Sequence, residues 1–81
     1  MLYNILVKVM PLKDLLDPQG KAIQSGLNNL GLVNIKDVRV GKNIQLQIEA
    51  TSDAEALAIA EDASKNLLAN QVMEYYEISI V

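Results

Sequence analysis

The chain has no cysteine and no histidine, and it has neither phenylalanine nor tryptophan. Without cysteine there is no disulfide and no thiolate metal site. Without histidine it lacks the side chain best suited to proton transfer near neutral pH, which is also the commonest metal ligand. Neither a Ser-His-Asp nor a Cys-His nucleophile can be assembled from these residues alone. No apolar run approaches the roughly 18 residues that span a bilayer, and the N-terminus lacks a charged-then-apolar targeting pattern, so the chain reads as cytoplasmic and free of membrane. Charge is sparse as well. The net value is −3 with both signs interspersed, a poor match to a polyanion, so nucleic acid is not an expected partner.

What the chain does have is aliphatic carbon. Its 81 residues make one domain, near the lower end of what folds alone. Yet 51% of them are hydrophobic, and a globule this small buries only roughly 60% of its extended-chain surface. Leu, Ile, Val, Ala and Met must build the core, and the surplus favours burial against another protein.

Periodicity orders the elements. Tyr3, Ile5, Val7 and Val9 alternate with Asn4 and Lys8, a strand with one buried face that Pro11 ends. Asp17 then stands as an N-cap with Pro18 at the first helical position. Ile23, Leu27 and Leu30 fall at i, i+4 and i+7 of the helix that follows, with Ala22 and Gly26 widening the stripe, and Gly31 stops it in a left-handed conformation. Strands are expected at about 34–40 and 44–50. A three-residue loop, Gly41-Lys42-Asn43, would pair Val40 with Ile44 and Val38 with Leu46, with Asn43 left-handed. Ser52 and Glu55 sit at capping-box spacing ahead of a second, alanine-rich helix, with Leu57, Ala60, Ser64 and Leu67 along one side and Asn70 as its stop. A last strand at about 72–80 carries apolar residues on both parities. The fold class is therefore α+β, in the order βαββαβ: an antiparallel four-stranded sheet with both helices on one face, ferredoxin-like in outline. No linker, repeat or low-complexity segment interrupts it.

Three groups of residues invite a functional reading. The helix start at Asp17–Lys21 could hold a phosphate, but an aspartate at the cap competes with one, which favours a cap beside a solvent-facing lysine. Lys36, Arg39 and Lys42 form the one basic cluster, with Arg39 suited to a bidentate grip on carboxylate or phosphate; the simpler alternative is a solvated hairpin. Glu74 and Glu77 lie three apart on a strand and point to opposite faces, so they do not make an acid–base pair, while Tyr75 and Tyr76 beside them suit an interface. Gly41-Lys42 lacks the glycine-rich frame of a phosphate loop.

Leu16-Asp17-Pro18-Gln19-Gly20-Lys21-Ala22, then Asp37-Val38-Arg39-Val40-Gly41-Lys42, then Leu67-Leu68-Ala69-Asn70 followed by Val72, Glu74 and Tyr76, at this spacing in a chain this short, resemble the PurS family, the small subunits of phosphoribosylformylglycinamidine synthase. The resemblance covers nearly the whole chain and implies a single PurS-like domain over 1–81. It implies a subunit that is itself non-catalytic and binds no cofactor alone, within a complex that uses ATP, Mg and glutamine to make the amidine of formylglycinamide ribonucleotide in purine biosynthesis. The implied partners are a synthetase (large) subunit, a glutaminase subunit and further copies of the chain, as a homodimer or tetramer. The residues expected to face those subunits are Asp17, Pro18, Gln19, Gly20, Lys21, Asp37, Arg39, Gly41, Lys42, Asn70 and Glu74. Those expected in self-association are Val72, Tyr75, Tyr76 and Ile78. Gln71 departs from the family's usual proline or small residue and is expected to loosen the corner before the last strand. The rival readings are a free-standing ferredoxin-like module binding a small metabolite between protomers and a small oligomeric enzyme working through carboxylates and tyrosine.

Overall fold

The computed structural model describes residues 1–81. Its sheet has three strands: β1 (Leu2–Pro11), β2 (Lys42–Glu49) and β3 (Glu74–Ile80), in the order β2-β1-β3 with both pairings antiparallel. The helices are α1 (Pro18–Asn29) and α2 (Asp53–Ala63), the latter running on into a π-helical turn at Ser64–Leu68.

The expected fourth strand is absent, which corrects the four-stranded fold. Residues 35–41 join no ladder. Their backbone is taken up elsewhere: the Asp17 carboxylate accepts from the Val40 amide at 2.8 Å, and the Gln24 side chain donates to the Lys36 carbonyl at 2.9 Å, while the Arg39 side chain reaches the chain leaving β1. There is no hairpin at Gly41. Lys42 and Asn43 already belong to β2, opposite Val9 and Lys8, and Gly31 is the sole residue with positive φ, at 88°. The alternation within β2 was legible all the same: Ile44, Leu46 and Ile48 share one face with Val7, Ile5 and Tyr3 opposite them.

That face is the core. Ile5, Val7 and Val9 on the central strand are fully buried, and α2 lies over them through Ala56 and Ala60, with Ala50 and Ala69 at the margins. Alanine at these positions lets the helix sit close to the sheet. Ser64 is buried too and keeps its hydroxyl bonded to the Ala60 carbonyl at 2.8 Å. The π turn, closed by the Ala69 amide on the Ser64 carbonyl, shifts the periodicity by one residue, so Leu68 faces the core and Leu67 faces solvent. Leu57 is likewise outside the buried side. Gln71 ties the corner that follows, donating to the Lys65 carbonyl at 2.8 Å.

α1 does not cover the sheet, a second correction to the expected layering. It makes no extensive contact with another helix or strand, and it follows the loop that leaves the end of β1. The molecule is elongated, with extents of 51 × 24 × 14 Å. Local chemistry places its ends as the sequence predicts, with Asp17 as N-cap, Pro18 at the first position and Gly31 past the last turn.

Candidate functional site

At one end of the sheet β1 finishes and β2 and β3 begin, because Val9 pairs with Lys42 and Pro11 with Glu74. The Leu12 amide donates to the Met73 carbonyl at 2.9 Å, holding the outgoing loop against the corner before β3. α1 starts from the same place. Residues 17–21, 37–42 and 70–74, far apart in sequence, therefore meet at one end of the molecule.

They meet through a clasp built around Asp17 and Arg39. One Asp17 carboxylate oxygen accepts from Gly20 at 3.1 Å and the other from Val40 at 2.8 Å. Arg39 Nη2 donates to the carbonyls of Pro11 and Leu12, both at 2.6 Å, and Nη1 to that of Lys13 at 3.3 Å. Gly20 lies so close to the Val38 carbonyl that a Cβ there would overlap it, and a Cβ on Gly41 would run into Met10 and the Val9 carbonyl. Four of the expected partner-facing residues thus act inside the chain. They fix the loop at 12–16 and the direction in which α1 leaves.

The basic cluster does not form. Arg39 is spent on backbone carbonyls, Lys36 donates to the Val33 carbonyl at 3.0 Å, and Lys42 pairs with Glu74 at 3.8 Å. Glu74 also accepts from the Asn70 amide at 2.9 Å, while the Asn70 side chain accepts from Val72 at 3.0 Å, an Asx turn that shapes the corner.

Two open clefts flank the loop. One of about 370 Å³ is lined by Lys13, Asp17, Lys21, Asp37 and Arg39 among others. The other, about 300 Å³, takes Pro18, Gln19, Val40, Asn70, Met73 and Glu74. Leu15 and Leu16 border both, and Leu16 is 74% exposed. Leu15 was not singled out from the sequence, and Leu16 only as the start of the Leu16–Ala22 segment, although two leucines immediately ahead of a helix cap are a usable signal of an apolar contact on a loop. No group of three His, Cys, Asp or Glu residues is placed to hold a metal ion. The arrangement is an apolar knob between two polar-rimmed hollows, which suits contact with another protein.

Of the residues expected in self-association, Tyr76 and Ile78 pack on the chain's own core, and the Tyr76 hydroxyl donates to Glu61 at 2.5 Å, a bond that raises its pKa. Tyr75 is half-buried on the reverse face, opposite Met10, and Val72 is exposed in the corner.

The carboxyl of Asp17 is held below its ordinary value, first by the Val40 amide and then by that of Gly20, with the Arg39 charge adding to them. A depressed folded-state pKa means that the clasp contributes its stability above the ordinary carboxylate pKa and loses it as pH falls through the depressed value. Unfolding of the wild type followed between pH 5 and 2 is expected to fall more steeply than that of Asp17→Asn. Parallel curves would show that the carboxylate charge does not hold the clasp.

The family described as PurS, phosphoribosylformylglycinamidine (FGAM) synthase, matches residues 4–81. This chain belongs to the PurS family. A PurS subunit of Mycobacterium leprae is 43% identical over 91% of this chain and 90% of its own. The Bacillus subtilis PurS subunit is 35% identical over 98% of this chain and 93% of its own, and a crystal structure of it superposes with a TM-score of 0.87. A chain in the structure of PurLQS from Thermotoga maritima is 31% identical, with a TM-score of 0.92, and the match covers 100% of this chain and 99% of that one. PurS is a subunit of phosphoribosylformylglycinamidine synthase, a glutamine-dependent ligase of purine biosynthesis. The three segments on which the resemblance rested are the three that converge at the end of the sheet. No helix is long and apolar enough to cross a membrane.

Proposed function

We propose that this PurS chain is a non-catalytic bridging subunit. It docks the glutaminase subunit and the synthetase subunit to one another so that ammonia passes from one to the other. It works in the cytoplasm as a homodimer or tetramer. ATP and Mg serve the synthetase chemistry, and neither is held by this chain. The observation that carries this reading is the convergence of residues 17–21, 37–42 and 70–74 on one rigid end, where Asp17, Gly20, Arg39 and Gly41 set the scaffold. Leu16, Gln19, Lys21, Asp37, Lys42 and Asn70 then present exposed side chains. A surface assembled from three parts of a chain, with no metal cluster and no histidine or cysteine near it, supports contact with protein better than it supports turnover.

The test mixes the cognate synthetase and glutaminase subunits with and without this chain and measures amidine formation from glutamine and from free ammonia. The glutamine-dependent rate is expected to need the chain and the ammonia-dependent rate to proceed without it. Leu16→Glu should reproduce the loss at least tenfold while leaving the fold unchanged by circular dichroism. Equal rates from glutamine with and without the chain would set this reading aside in favour of the metabolite-binding module.

A further inference from the structure

Residues 12–16, which carry Leu15 and Leu16, have little of their own to hold them in place. They lie in neither helix nor strand, and neither leucine packs on the core. The Leu12 amide donates to the Met73 carbonyl, and the Leu15 amide to the Leu12 carbonyl at 3.1 Å. Arg39 supplies the only side chain that bonds the backbone here, through the carbonyls of Pro11, Leu12 and Lys13. It takes part in neither of the chain's two ion pairs. An arginine that ends on three successive carbonyls holds the path of a chain. Its bonds are charge-assisted, and therefore stronger than those between neutral groups.

Arg39 is itself held from the other side. Its segment joins no ladder, and α1 secures it on both flanks. Gln24, in the second turn of α1, donates to the carbonyls of Lys36 at 2.9 Å and Ile35 at 3.4 Å. Asp17, the N-cap of the same helix, accepts from the Val40 amide. Arg39 lies between these attachments, so one side chain links the placement of α1 to the loop ahead of it.

We propose that Arg39 is the positioning residue for subunit docking: it transmits the placement of α1 to residues 12–16 and so fixes the pose in which Leu15 and Leu16 meet the other subunits of the synthase. The inference rests on the docking role proposed above and assigns its geometry to one side chain. Lysine is a poor replacement, because its ammonium is a point charge on a flexible stem and lacks the rigid fork of donors. A vacated arginine site, by contrast, leaves three carbonyls facing a space of guanidinium shape.

That space gives the test. Arg39→Ala and Arg39→Lys are titrated as full chains into the cognate synthetase and glutaminase subunits, and the chain concentration that gives half the maximal glutamine-dependent rate is read. Arg39→Ala is expected to raise it at least tenfold, and Arg39→Lys to recover little of that. Millimolar guanidinium is expected to restore Arg39→Ala and to leave Arg39→Lys and Leu16→Glu as they were. A general loss of stability would be deepened by guanidinium, which favours unfolding, and not reversed. Gln24→Ala is expected to act in the same direction, and its effect combined with Arg39→Ala to fall short of the sum, since both work through one segment. Half-saturation of Arg39→Ala at the wild-type concentration overturns the proposal, as does a loss that guanidinium fails to reverse while helix content is unchanged. Should Arg39→Ala lose its helix content, hydrogen exchange in Arg39→Lys decides. Faster exchange confined to the amides of residues 13–16 is expected, and exchange there at the wild-type rate overturns the proposal. A glutamine-dependent rate indifferent to the wild-type chain removes the docking reading itself, and the exchange at 13–16 still reads the hold of Arg39 on the loop.

Discussion

Gly20→Ala is expected to lower the thermal midpoint of the chain by roughly 4–24 °C. The added carbon would overlap the Val38 carbonyl, which is main chain and cannot rotate aside. Overpacking of this kind costs about 1–3 kcal/mol, and a domain of this size loses about 4–8 °C per kcal/mol. Gly26→Ala supplies the contrast. It sits on the same helix with nothing within 4 Å of the added carbon, so the higher helix propensity of alanine acts alone and should raise stability by up to about 1 kcal/mol. The same chemical change one turn and a half apart thus carries opposite signs. Melting followed by circular dichroism distinguishes them, and equal midpoints for wild type and Gly20→Ala would mean that α1 is not clamped. Glutamine-dependent activity in the reconstituted complex should fall with Gly20→Ala even below its melting range, because the clasp also sets the pose of Leu15 and Leu16.

Where the sequence was legible, the determining chemistry was local. Asp17 followed by proline starts a helix whatever lies around it, Gly31 ends one because it accepts a positive φ, and Ser52 caps α2 by accepting from Glu55 at 3.2 Å. The alternation of Ile44, Leu46 and Ile48 likewise fixed which face of β2 turns inward. The errors arose where one backbone had two possible partners. Val38 and Val40 alternate as a strand residue pair does, but alternation cannot say whose amides and carbonyls a segment will meet; Asp17 and the approach of Gly20 took them from the sheet. Arg39 was recognisable as a fork of donors. That its acceptors are the carbonyls of Pro11, Leu12 and Lys13, and not a ligand or partner carboxylate, depends on a loop whose path no residue in it announces. A strict helical period puts Leu67 on one side with Ala60 and Ser64, and the π turn at Ser64–Leu68 breaks that period. The functional end was visible only as three separate strings of residues; their meeting depends on strand register, since Pro11 opposite Glu74 and Val9 opposite Lys42 bring the pieces together.

Ile5→Ala is expected to cost about 3 kcal/mol, within the 2–5 kcal/mol range for an isoleucine emptied from a core. Ile5 is fully buried, in a core whose other buried hydrophobic residues are valine and alanine. No phenylalanine or tryptophan stands nearby to relax into the space. An 81-residue domain holds roughly 4–12 kcal/mol in total, at about 0.05–0.15 kcal/mol per residue, so the variant loses roughly a quarter to three-quarters of it. Only nine residues are buried in the single chain, and Leu30, Leu32, Val33 and Ile59 are exposed. The self-association proposed above would supply part of the stability, and the midpoint should then depend on protein concentration. Comparing Ile5→Ala at two concentrations a hundredfold apart should recover several degrees at the higher one, and combining it with Leu30→Glu should abolish that recovery. If the midpoint is the same at both concentrations, the single chain carries its stability alone, and its exposed aliphatic residues are then free for other subunits of the synthase.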